Sequence, residues 1–144
     1  MSRKFGDFAV GQRLVSAEHR MKRDEIVAFA RQFDPQTFHL EEKSGGENLL
    51  GGLASSGWQT AAISMRLFVE TMNVAGGIVG VAVDELRWPA PVRPNDKLRV
   101  EIEIREARLS KSRPGFGVLR YQSLTKNQRD EVVQCFFATA LLGV

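Results

Sequence analysis

Apolar residues recur at helical spacing between Arg23 and Phe33, where Ile26, Phe29, Ala30 and Phe33 share one face. This predicts an amphipathic helix with Asp24 and Glu25 at its positive end. It should stop at Asp34, because Pro35 lacks an N–H and pushes the residue before it out of helical geometry. Gly57 to Met72 is the most apolar helical pattern, with Ala61, Ala62, Met65, Phe68, Val69 and Met72 spread around much of its circumference. Such a helix is expected to be enclosed, with Ser55 or Ser56 as its cap. From Gly77 the pattern turns to strands: Ile78 to Trp88, Lys97 to Leu109, Gly115 to Thr125 and Glu131 to Leu142, separated by Pro-, Gly- and Asn-rich turns. An earlier strand is predicted from Gln12 to Met21, after a lead-in punctuated by Gly6 and Gly11. Between the helices, Leu40 to Gly52 contains Gly45-Gly46 and Gly51-Gly52 and predicts a short helical piece plus a mobile loop over the site. It has neither the Gly-Lys-Ser/Thr nor the GxGxxG context of a phosphate loop. One long helix with four or five long, mostly antiparallel strands is an α+β arrangement, a sheet wrapped on a helix. Its free edge and apolar flank call for a second copy of the chain.

Composition narrows the class. A chain of 144 residues, 43% hydrophobic, suits one compact domain over residues 1–144. The net charge of +3 is modest, and its basic residues alternate with acids, as from Arg99 to Arg108, which is a solvated surface rather than a nucleic-acid footprint. Cys135 is the single cysteine and lies in an apolar run, so it reads as a small core residue of a reducing compartment. The N-terminus lacks a secretory apolar stretch, and no run approaches the roughly 20 apolar residues of a membrane span. A cytoplasmic protein without a membrane partner is expected.

The candidate chemistry lies just past the first helix. Asp34 and His39 flank a turn that lets a carboxylate and an imidazole converge on one water as a general acid/base pair. The negative end of the helix, with burial, predicts a raised Asp34 pKa. The bland alternative also stands: Asp34 opening a turn and His39 bonded to a backbone carbonyl. The second segment, Ser55-Ser56-Gly57-Trp58, adds a helix N-terminus. There Gly57 permits close approach of a ligand, and its free amide can meet a developing oxyanion. Trp58 either lines the ligand site or packs in the core. His19 and His39 are the only histidines, and Cys135 is distant, so no metal set is predicted. In the turn Ser110 to Pro114, Lys111 and Arg113 are candidates for coenzyme A phosphates or for a solubilising hairpin tip, and Arg87 is a third candidate cation.

Asp34-Pro35-Gln36-Thr37-Phe38-His39, followed by Gly51 to Trp58 and by Val83 to Leu98, resembles the MaoC-like dehydratases, the (R)-specific enoyl-CoA hydratase group of the hot dog fold. The family motif runs Asp, then Asn-Pro and an apolar residue, then His, with a Gly opening the central helix. Here Gln36 and Thr37 stand in place of Asn-Pro, and Ser56 stands where a His is frequent. Over most of the chain the resemblance implies a hot dog fold with catalytic Asp34, His39 and Gly57, and it makes Ser56, Trp58 and Phe38 the expected substrate contacts. It further implies a homodimer or larger oligomer with the acyl site near the interface. No cofactor is implied beyond coenzyme A as part of the substrate, and the carrier is either coenzyme A or acyl carrier protein. The implied reaction is reversible hydration of trans-2-enoyl thioesters to (R)-3-hydroxyacyl thioesters. A hot dog acyl-CoA thioesterase and a non-catalytic acyl-CoA-binding protein are the alternatives.

Overall fold

The computed structural model describes residues 1–42 and 49–144. The first helix, α1 (Arg23–Phe33), starts where the Lys22 amide donates to Glu25 Oε1 at 2.8 Å. It stops at Asp34, whose φ of −152° and ψ of 68° are not helical, as the following proline requires. Ile26 and Ala30 are fully buried, whereas Phe33, expected on the core face, is 63% exposed, with its ring 5.1 Å from that of Phe29. A single turn, α2 (Thr37–Leu40), follows at once. The long helix α3 (Gly57–Met72) is capped by Ser56, whose hydroxyl accepts from the Trp58 amide at 3.3 Å. It ends on Asn73 in the left-handed region, φ 46°.

The strands are β1 (Arg13–Val15), β2 (His19–Arg20), β3 (Ile78–Arg87), β4 (Lys97–Leu109), β5 (Phe116–Lys126) and β6 (Val132–Gly143). They form one sheet in the order β1-β4-β5-β6-β3, with β2 also on β4, and every pairing is antiparallel. The four long strands agree with the alternation pattern to within a residue at each end. The strand predicted from Gln12 to Met21 is instead broken in two. Ser16 exchanges bonds with Val100, its amide donating to the carbonyl at 2.9 Å and its hydroxyl accepting from the amide at 2.8 Å. From Val15 to His19 the chain takes four steps while β4 takes three, from Glu101 to Leu98. The extra residue is accommodated as a bulge.

Two cores result. In the larger, α3 lies on the sheet, with Phe68 stacked on Tyr121 at 4.7 Å and Leu67 and Met72 among Val100, Ile102, Leu119 and Leu142. The smaller one joins α1 to the segment before α3 and to the sheet end through Met21, Ile26, Leu53, Val92, Leu98 and Val133. The candidate site lies at this second junction. The expectation that α3 is enclosed is corrected: Met65 and Val69 are 46% and 50% exposed, because the sheet covers only one face of the helix. The neighbouring edge strand β3 likewise leaves Val79, Val81 and Val83 exposed. Among the described residues, no helix is long and apolar enough to cross a membrane. Of the loop predicted from Leu40 to Gly52, residues 43–48, including Gly45-Gly46, lie outside the described residues. On its far side the Arg93 guanidinium donates to the carbonyls of Leu50 and Leu53, tying this segment to the turn before β4.

Candidate active site

Asp34 and His39 meet because α1 ends abruptly and α2 turns the chain back. The Ala54 strand-like segment then holds the imidazole from the other side: Ala54 N–H donates to the Phe38 carbonyl at 2.9 Å, and the Ala54 carbonyl accepts from His39 Nδ1 at 2.7 Å. His39 is buried, and its Nε2 lies 3.2 Å from Asp34 Oδ2. Both ring nitrogens thus face oxygen acceptors, and the ring satisfies both when it carries a proton on each. The catalytic reading and the bland reading of His39 turn out to be compatible, since the carbonyl bond orients the ring toward the carboxylate.

The carboxylate is clamped at both oxygens. Gln36 Nε2 donates to Oδ1 at 2.6 Å, and the Ser56 hydroxyl donates to Oδ2 at 2.8 Å. Desolvation is the largest single influence on Asp34 and pushes its pKa up. The hydrogen bonds from Gln36 and Ser56, then the charge and hydrogen bond of His39, together outweigh it and hold the carboxyl below its ordinary value. This reverses the raised pKa expected from helix end and burial. The sequence argument counted the backbone and the desolvation but not the three side-chain donors.

A cavity of about 360 Å³ opens beside this pair, walled by Ala54, Gly57, Trp58, Thr60, Trp88 and Val133, among others, and mostly apolar. Gly57 is the first residue of α3, and its amide has no hydrogen-bond partner among the described residues. The reason for a glycine there differs from the expected one. A Cβ on Gly57 would sit 2.6 Å from Trp88 Cε2 and 2.8 Å from Cδ2, so the close approach is by an indole of the protein itself. Trp88 also meets Trp58 edge to face at 5.1 Å and donates from Nε1 to Gln134 Oε1 at 2.9 Å.

The other sequence candidates divide. Trp58 lines the cavity and is 59% exposed, not a core tryptophan. Ser56 and Phe38 do not reach the cavity wall. Ser56 is fully buried behind Asp34, and the Phe38 ring stands edge-on to His39 at 4.7 Å. Both therefore brace the Asp34–His39 pair. Arg87 is exposed next to Trp88, 3.9 Å from Glu85. Lys111 and Arg113 line a different cavity, with Arg108, Ser110, Val118 and Leu141. Sequence reasoning missed Trp88 and Gln134 as members of the site. The available signal was an aromatic residue at the end of a strand, directly before Pro89-Ala90-Pro91, where a solvated turn would carry polar groups. Among the described residues no cluster of three His, Cys, Asp or Glu side chains offers a metal site. What the arrangement can do is acid/base work on a water or carbon acid next to a carbonyl held by a backbone amide.

Comparison with known proteins agrees with this geometry. A family model described as "MaoC like domain" matches residues 7–127. The crystal structure of a MaoC-like dehydratase from Rhodospirillum rubrum is 48% identical, with a TM-score of 0.93 over 99% of this chain and 97% of that one. The uncharacterized protein YdeM of Bacillus subtilis is 29% identical over 128 residues, 88% of this chain and 89% of YdeM. The R-hydratase PhaJ1 from Pseudomonas aeruginosa, in unliganded form, is 20% identical with a TM-score of 0.79 over 97% and 85% of the two chains, a likeness of fold. With most of its length matched by the family model and its helix lying on an antiparallel hot dog sheet, this chain belongs to the MaoC-like dehydratase family.

Proposed function

We propose that this protein catalyses the reversible hydration of trans-2-enoyl thioesters to (R)-3-hydroxyacyl thioesters, with coenzyme A or acyl carrier protein as the carrier. The observation that carries the reading is the 3.2 Å contact between His39 Nε2 and Asp34 Oδ2 in a mostly apolar cavity that also receives the unpartnered Gly57 amide. In the hydration direction Asp34 takes a proton from water as its oxygen bonds to C3. The C2–C3 π electrons shift toward the thioester oxygen, where the Gly57 N–H stabilises the developing enolate. His39 delivers the proton to C2, and the proton on Asp34 passes back to the ring, so both groups return to their starting states. The lowered pKa of Asp34 keeps it ionised near neutral pH and costs it basicity, so its value as a base rests on its position next to the water rather than on proton affinity.

A second copy of the chain is the proposed partner. Met65 and Val69 of α3 are exposed, and the edge strand β3 separately exposes Val79, Val81 and Val83, so both the helix and the strand edge are available to that copy. Arg87, next to Trp88 in the chain, is the candidate nearest the cavity for an anionic carrier. The test is a panel of trans-2-enoyl-CoA thioesters in which loss of the conjugated enoyl absorbance and release of free thiol are followed together. Loss of absorbance without thiol, abolished in Asp34→Asn and His39→Ala, is expected. Thiol release would transfer the assignment to a thioesterase, and binding without turnover would make the chain an acyl-CoA binder.

A further inference from the structure

The cavity beside Asp34 has one wall held in place by more than packing. The Trp88 indole lies flat enough on Gly57 to exclude even a methyl group, touches Trp58 edge to face, and is anchored by a 2.9 Å bond to Gln134, which is itself 1% exposed. Trp88 is still 40% exposed, so these three contacts, rather than enclosure, hold the ring against the start of α3, where the Gly57 amide is proposed to receive the thioester oxygen. On the inner side the cavity closes on Val133, Val92 and Thr60, which are buried and continuous with the smaller core, so no unfilled depth lies beyond them. Its volume of about 360 Å³ is at the small end of ligand pockets, roughly 300–1,000 Å³. That space must hold the thioester, the attacking water and the start of the carrier arm as well as the acyl chain.

We infer that Trp88, positioned by Gln134, is the specificity-determining wall of this site and restricts it to thioesters of short acyl chains. This rests on the proposed acyl-thioester function and names the substrate class within it. A longer chain has to occupy the volume that the indole fills. Truncating the ring opens that volume between Gly57, Trp58 and Val133 and leaves the Asp34–His39 pair untouched. Gln134 acts through Trp88: without its acceptor the ring is held only by packing and can turn aside.

The protein offers its own reporter, since Trp58 and Trp88 are its two tryptophans and both line the cavity. In Trp88→Ala, Trp58 remains to report binding. The experiment measures fluorescence-detected Kd values for saturated four- and eight-carbon acyl-CoA thioesters, together with kcat/KM for the matching enoyl thioesters. It covers the wild type, Trp88→Ala, Trp88→Phe and Gln134→Leu, with thermal unfolding to verify that each variant is folded. The wild type is expected to favour the four-carbon ligand. In Trp88→Ala the eight-to-four-carbon preference should move by at least about tenfold toward the longer chain, the scale on which apolar pockets discriminate small differences in chain volume. Trp88→Phe and Gln134→Leu should shift it the same way by less. An unchanged ratio in folded Trp88→Ala or Trp88→Phe overturns the inference while leaving hydration intact. A shifted Kd ratio without any hydration supports the role of Trp88 and removes the hydratase reading. If neither thioester binds, both fall.

Discussion

Two cavities of this protein are of similar size and opposite character. The one beside Asp34 is about 360 Å³, and the one beside Lys111 and Arg113, on the β4–β5 hairpin, is about 430 Å³. In the first, the carboxylate and the imidazole are both held by neighbours, and of the groups named only the Gly57 amide has no partner among the described residues. Gln36 and Ser56 hold Asp34, Ala54 holds His39, and the Ser56 hydroxyl is also tied to the Trp58 amide. In the second, the cations are exposed, and Arg108 is engaged by Glu106 at 2.9 Å while the Lys111 and Arg113 side chains have no partner among the described residues. Volume is therefore a poor guide to chemistry. What distinguishes the first cavity is that a carboxylate, an imidazole and a backbone amide converge on one space with their orientations already determined, the kind of preorganisation that the proposed chemistry would use.

The comparison breaks most severely at the pair itself. Asp34→Asn or His39→Ala should lower kcat by roughly 10²- to 10⁴-fold, the usual contribution of a positioned acid or base, and His39→Ala should also lower the melting temperature, because it empties a buried site and leaves its hydrogen-bond partners unpaired. Enoyl-CoA turnover beside a melting curve checks this. Gly57→Ala comes next. Its methyl would meet Trp88 at 2.6 Å and displace either the ring or the amide, and losing one oxyanion donor costs on the order of 10²- to 10³-fold. Adding Trp88→Ala in the same chain should recover thermal stability, because it vacates the space that the methyl needs.

Ser56→Ala should act more mildly and through pH. Removal of a helix cap costs about 0.5–2 kcal/mol of stability, and Asp34 loses one of the donors that lower its pKa. The folded pKa of Asp34 lies below the unfolded one. The stability linked to it is therefore complete above about pH 4, the unfolded value, and is lost as pH falls through the folded value. In Ser56→Ala both this loss and the acid limb of the kcat/KM profile should move to higher pH, as read by melting temperature and rate between pH 2.5 and 6. The smallest effect is expected at the other cavity. Lys111→Ala combined with Arg113→Ala should leave kcat unchanged and shift KM by no more than an exposed charge contributes, about 0–1 kcal/mol. A large, salt-sensitive rise in KM would instead make that hairpin part of the carrier site and erase the contrast.

Much of the scaffold was legible because its signals are local. The stop at Asp34 follows from Pro35, the cap at Ser56 from its hydroxyl, and the long strands from alternation that half-burial imposes on any sheet. The nearness of Asp34 and His39 was legible for the same reason, since a five-residue separation around a proline turn leaves few alternatives. The resemblance to MaoC-like dehydratases drew on Asp34 to His39, Gly51 to Trp58 and Val83 to Leu98, and the family match over residues 7–127 covers all three. The bare face of α3 was not legible. Periodicity reports that Met65 and Val69 are apolar but not whether one chain or two must cover them. The break at Ser16 was hidden too, because it depends on a bond 84 residues away to Val100.

By itself, then, the sequence determined the helices, the antiparallel strands and the pairing of a carboxylate with an imidazole, all of which arise from steric and hydrogen-bonding rules acting over a few residues. Tertiary structure decided the rest of the site. The acidity of Asp34 is set in part by Ser56, 22 residues away, and the wall over Gly57 by a Trp88–Gln134 bond spanning 46 residues. Those contacts depend on how α3 seats against the sheet end, and that position is fixed by the packing of two cores rather than by any local preference of the chain.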